Sequence, residues 1–234
     1  MKKAAVINDI RKLKGIVDKY DVIGIGSEFC HNITLKFFSE INDELEKILR
    51  WKKIIIYTPI LTDLIFDTFV DKLKQIILKF KNFEIMVTDL GLLDWLNSNF
   101  PYIKKGIARP LSIDFVRMNL KILNRFIKDL RIHSIETDEI NFLYKFKNRS
   151  FKIYFRVPLK YVGLSRFCPY ERKIIYSCNY QCFNYYDEIK IKDSNEKIII
   201  FENCYFKKIK GYKNLYNKNL DVDMIVETIY RQIN

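Results

Sequence analysis

The sequence predicts an α/β fold, a parallel β/α barrel-like domain with a cysteine-bearing β extension towards its C-terminal end. Three observations carry this prediction. Short apolar runs alternate about six times with longer segments of helical period between residues 21 and 157. The connections are short enough to leave successive strands as parallel neighbours. The alternation then stops, and residues 160–210 become richer in Tyr, Cys and charged side chains. Six visible repeats make this an incomplete or distorted TIM-type barrel.

The first strand is read at 21–26 (DVIGIG), an apolar run carrying two glycines. A helix follows over 34–50, with Leu35, Phe38, Ile41, Leu45 and Ile48 three or four apart on one face. The second strand is 53–57 (KIIIY), and a helix over 61–80 carries Leu64, Ile65, Phe69, Leu73, Ile76 and Ile77 as its stripe. Strand 83–87 leads to a short helix at 91–97, and strand 102–107 to an amphipathic helix over 112–130. Ser112 is its expected N-cap, with Asp114 in the first turn. Strand 132–135, a helix over 138–146 and strand 151–157 complete the repeat. In the extension, 186–191 and 197–201 read as a hairpin turning at Asp193, Ser194 and Asn195, and 221–231 reads as a terminal helix. No linker divides the 234 residues, so 1–234 is expected to be one domain, with 160–210 as its cysteine-rich region.

Composition narrows the function. Hydrophobic residues make up 49% and charged residues 29%, which fits a packed core and excludes a disordered chain. No apolar run is long enough to span a bilayer. The first twenty residues carry Lys2, Lys3, Arg11, Lys12, Lys14 and Lys19 without a signal-type apolar core. A cytoplasmic location is therefore expected, where five cysteines suit metal ligation better than disulfides. The net charge of +13 leaves room for an RNA-facing surface, but the lysines are scattered beside Ile and Asn rather than gathered in a block.

The informative polar residues follow strands. Glu28 and Cys30 come after the first, Asp89 after the third, Arg109 after the fourth and Glu136 after the fifth. Cys168 follows the sixth after a loop. In a β/α barrel these strand ends share one face, the face that carries chemistry. Asp89, Arg109 and Glu136 are thus candidates for the substrate side. On the same ground Cys30 can meet Cys168, Cys178 and Cys182, a C-x9-C-x3-C cluster among polar loop residues. Four thiolates are the usual set for zinc or an iron–sulfur cluster. The C-x2-C knuckles typical of zinc are missing, which favours iron–sulfur, although spacing alone leaves zinc open. Cys204, in a strand-like NCYF run, reads as a buried hydrophobe. His31 and His133 read as non-ligands. The G-x-G of Gly24 and Gly26 lacks the third glycine of a dinucleotide fingerprint. No Ser-His-Asp or Cys-His arrangement offers a hydrolytic nucleophile.

Taken together, DVIGIGSEFC, VTDLG, Glu136 at a strand end and SRFC ahead of two further cysteines resemble the collagenase-like peptidase superfamily. The likeness covers roughly residues 20–205 and is greatest to its UbiV-like iron–sulfur group, which acts in oxygen-independent ubiquinone hydroxylation. Thr88 stands where the family pattern has Asn, and Glu28 lies one residue nearer to Cys30. The resemblance implies a barrel carrying a [4Fe-4S] cluster on Cys30, Cys168, Cys178 and Cys182. It also implies a heterodimer with a homologous superfamily member and hydroxylation of a small aromatic acceptor. Some members of the superfamily act in tRNA hydroxylation, which makes RNA the alternative partner.

Overall fold

A computed structural model describes residues 1–165, 167–174, 178–183, 186–192, 196–217 and 220–230. Eight strands form a closed, all-parallel barrel in the order β1-β14-β7-β6-β5-β4-β3-β2. These are β1 (Lys2–Ile7), β2 (Val22–Gly26), β3 (Lys53–Tyr57), β4 (Phe83–Val87), β5 (Lys104–Ile107), β6 (Ile132–Thr137), β7 (Lys152–Val157) and β14 (Met224–Thr228). Around them run α1 (Leu13–Ile16), α2 (His31–Glu40), α3 (Asp43–Arg50), α4 (Asp63–Lys79), α5 (Leu90–Asn99), α6 (Leu111–Arg117), α7 (Leu120–Asp129) and α8 (Ile140–Leu143).

The barrel is complete where the sequence leaves it incomplete. The run 2–7 escapes notice because it opens on two lysines and is built partly from alanine, a poor strand former. The expected terminal helix at 221–231 is instead β14, which closes the barrel between β1 and β7. Its Met-Ile-Val run is buried on both faces, as parallel barrel strands are, and such a run has no period to separate strand from helix. Two expected helices are broken. Between α2 and α3 the backbone is extended at Ile41. Between α6 and α7 it is extended at Met118, and the Asn119 side chain caps α7 by accepting the Lys121 amide at 2.9 Å. Asn competes for backbone hydrogen bonds and so favours such starts over helix interiors. Ser112 is not the cap of α6; Pro110 holds that place and Ser112 is buried.

Alternation along the strands sorts side chains into two cores. Outward residues such as Ile23, Ile25, Ile54, Ile56, Ile85 and Ile225 pack against the helices. Inward residues Ala4, Val6, Val22, Ile55, Tyr57, Met86, Ala108, Tyr154, Met224 and Val226 fill the barrel. Gly106 belongs to this filling: a Cβ there would lie 2.2 Å from Ser134 Oγ and 2.3 Å from Met86 Sδ. Gly24 likewise faces Val6 and Tyr57, so the G-x-G is a packing feature of the barrel.

Between β7 and β14 the chain leaves the barrel and builds the extension. β8 (Leu159–Leu164), β13 (Cys204–Lys208), β12 (Lys197–Phe201) and β11 (Asp187–Lys190) form an antiparallel sheet in the order β11-β12-β13-β8. A two-stranded pair joins β9 (Phe167–Cys168) to β10 (Lys173–Ile174). The expected hairpin of 186–191 and 197–201 is present as β11 and β12, while its turn at 193–195 lies outside the described residues. Phe201, Phe206 and Leu159 from this sheet pack with Phe29 over the C-terminal mouth of the barrel. The extension is therefore a cap.

Candidate metal centre and barrel mouth

Cys30 sits between β2 and α2 as the N-cap residue of the helix, with extended backbone and a buried side chain. The amides of Asn32 and Ile33 face its sulfur, although no side-chain capping bond is formed. Cys168 lies in β9, where the Glu171 amide donates to its sulfur at 3.5 Å. The Tyr180 amide donates to the Cys178 sulfur at 3.3 Å. Cys182 is buried with Cys30, Ile33 and Phe183 in one cluster, flanked by Tyr170 and Tyr180. The thiols of Cys30, Cys168 and Cys178 all act on the charge of Cys182, so the four cysteines share one neighbourhood. Three separate stretches of chain bring them there.

Burial dominates the chemistry of Cys30 and Cys182. It pushes the Cys30 thiol up to about 12, with Glu202 and Cys178 adding to the rise and the helix amides opposing it. Burial also raises Cys182 strongly, and Glu202 and the other three thiols add to it. Thiols buried as those of Cys30 and Cys182 are stay protonated until a cation joins them. The donors present suit a soft metal or an iron–sulfur cluster. Among the described residues, no group of three or more His, Cys, Asp or Glu is arranged to hold a single metal ion as it stands. Cys204 is apart from this set: it is buried in β13, and its thiol donates to the Gly163 carbonyl at 3.1 Å. His31 opens α2 beside Cys30, and His133 lies within β6.

Beside the thiols, the barrel mouth holds a buried ionic network. Arg109 donates to Glu28 and to Asp138, each at 2.9 Å, and to the Leu159 carbonyl of the cap at 2.7 Å. Its Nε lies 3.7 Å from Glu136. Arg156 bonds Glu136 at 3.1 Å and Thr228 at 2.8 Å, and lies 3.4 Å from Glu28. Tyr57 donates to Glu136 at 2.5 Å. Burial would raise Glu28, but Arg109 and Arg156 outweigh it and hold that carboxyl below its usual value. For Glu136 burial wins: helped by the Glu28 charge and opposed by Arg156, it pushes the carboxyl up to about 8. Burial and the Glu28 charge thus favour the protonated form of Glu136, while the two arginines favour the ionised form of Glu28. The cavity at this point is lined by Asn8, Glu28 and Arg109 from the barrel and Phe201, Glu202 and Phe206 from the cap. Among the described residues Asn8 Nδ2, Glu28 Oε1 and Arg109 Nε meet no hydrogen-bond partner there. The free volume of about 10 Å³ suits roughly one water.

Arg109 and Glu136 therefore meet in the mouth. Asp89 does not join them: its carboxylate caps α5 by accepting the Leu92 amide at 2.9 Å and also takes the Leu61 amide at 3.3 Å. Tyr57, Arg156 and Glu202 escape the sequence reading. The first two carry a readable signal, because a polar group inside an otherwise apolar barrel strand points inward (KIIIY, KIYFRV). Glu202 carries none, since only the folded cap brings it to the mouth.

A comparison of the chain with family models, with curated proteins and with solved structures finds no match.

Proposed function

We propose that this chain is an iron–sulfur protein in which Cys30, Cys168, Cys178 and Cys182 hold a [4Fe-4S] cluster beside the capped mouth of a TIM-type barrel. The observation that carries the reading is that Cys30 and Cys182 pack in one buried cluster while Cys168 and Cys178 lie near enough to act on the Cys182 charge. A bound cluster would supply electron transfer. The chain's part is to exclude water by burial and to direct the amides of Glu171 and Tyr180 at the sulfurs, which tunes the potential.

The likeness to UbiV-like proteins extends the proposal to oxygen-independent hydroxylation of a small aromatic acceptor, in the cytoplasm, with a homologous partner subunit. Arg109 and Glu136 are the polar groups that such an acceptor would meet. A cavity the size of one water admits no aromatic ring, so binding requires the cap to lift from the mouth. The test is anaerobic purification followed by an absorption spectrum and by iron, sulfide and zinc analysis, with Cys30→Ala and Cys178→Ala run beside the wild type. A broad band in the visible with about four irons per chain, lost in both variants, is the expected result. One zinc per chain would replace the cluster with a structural site, and metal-free protein would overturn both.

A second reading, an RNA-modification factor, draws on a groove beside the cap. Lys160, Lys207, Lys208 and Lys210 line it with Asn141 and Asn214. Lys160 and Lys207 are paired with Glu139 and Glu196, so Lys208 and Lys210 carry most of its surplus charge. Binding to tRNA that weakens steeply with salt would favour this reading.

A further inference from the structure

Glu202 is the first of the two residues joining β12 to β13. Its φ is 58°, in the left-handed region where this hairpin position favours glycine, and its carboxyl is buried. Neither feature serves the hairpin: glycine would suit the backbone, and an exposed polar group would avoid the desolvation. The side chain instead reaches out of its own sheet. Ser27 Oγ donates to the Glu202 carboxylate, and the same Oγ accepts the amides of Phe29 and Cys30, each at 3.0 Å. The Ser27 amide in turn donates to Thr34 Oγ1 at 2.9 Å, tying this turn to the first turn of α2. A hydroxyl has one proton and two lone pairs. Because the proton is committed to Glu202, both lone pairs are left facing the amides that set the course of the chain into Cys30.

We propose that Glu202 is a positioning residue for Cys30: through Ser27 it fixes the 27–30 turn and aims the thiol at Cys178 and Cys182. The proposal rests on the iron–sulfur reading only for what Cys30 goes on to hold; the contacts that carry it need no metal. Its consequence is that the cap sheet, which contributes none of the four thiols, controls their arrangement. Lifting β12 and β13 from the mouth withdraws Glu202 from Ser27 and releases Cys30.

The experiment is alkylation of the full, metal-free chain by iodoacetamide, with each cysteine followed by peptide mass mapping, alongside thermal melting. Glu202→Gly suits the backbone and removes the carboxylate. It should melt no lower than wild type while Cys30 reacts on the order of 10-fold faster, the loss of about one hydrogen bond. Ser27→Ala should change Cys30 in the same direction. Glu202→Gln keeps an acceptor without the charge and should stay close to wild type. Cys168, in the separate β9–β10 pair, should be unchanged in all of them. An unaltered Cys30 rate in Glu202→Gly would overturn the proposal. So would equal acceleration in Glu202→Gln, which would mean that charge alone had suppressed the thiol, or a parallel rise at Cys168, which would mean general loosening. Iron content of the wild type is read separately and decides the cluster reading on its own.

Discussion

The barrel and its cap are held together by different means. Barrel strands pair in one unbroken parallel ring, and their side chains fill the interior and the helix interface by simple alternation. The cap is antiparallel and includes strands of only two residues. Of the four non-glycine residues with positive φ among those described, Arg172, Tyr180 and Glu202 fall in it. Strained backbone gathers where the surroundings over-determine it, and here those surroundings are thiols and a buried acid. The barrel owes its stability to area and periodicity, the cap to a smaller apolar cluster and a few specific polar contacts. Should the four thiols hold metal as proposed, its removal is expected to open the cap while leaving the barrel folded.

The mouth, where the two regions meet, should give the largest response. Arg109→Met leaves Glu28 and Asp138 buried without their shared cation, and should lower stability by about 3–5 kcal/mol in urea unfolding. A loss below about 1 kcal/mol would mean that water reaches the network. Within the barrel, Gly106→Ala forces a methyl against Ser134 and Met86 and should cost about 1–3 kcal/mol, with the thiol neighbourhood unaffected in its alkylation pattern.

Titration separates the regions further. Glu136 keeps its proton up to about pH 8 in the folded chain, whereas an unfolded carboxyl loses it near its ordinary value. The folded state thus binds more protons between about pH 5 and 8, and stability falls as pH rises through that window. Glu136→Gln, neutral throughout, should flatten this decline by on the order of 1–2 kcal/mol in melts taken across the range. The smallest effect is expected far from the cap: Asp89→Ala removes the α5 cap and should cost about 1 kcal/mol without altering Cys30 reactivity.

What the sequence discloses follows the same division. Apolar runs such as KIIIY and FEIMV announce barrel strands because burial on both faces leaves little else. At the seam the signal is lost: β1 is disguised by its alanines, and β14 by an apolar run that suits a helix equally well. Arg109 and Glu136 are legible as strand-end charges because the fold gathers strand ends. Asp89 shares that position yet turns to its own helix, a choice made by local capping geometry that strand position does not encode. Glu202 depends on a cap docking across the mouth, a long-range contact without sequence period, and so leaves no trace in its own segment.

The proposed four-cysteine site stands or falls on what the chain carries. Native mass spectrometry of the anaerobically purified chain, beside Cys182→Ala, should show a single species heavier than the bare chain by four irons and four sulfides, and the bare mass alone for the variant. The bare mass for both proteins, after purification under conditions that preserve such clusters, would contradict it.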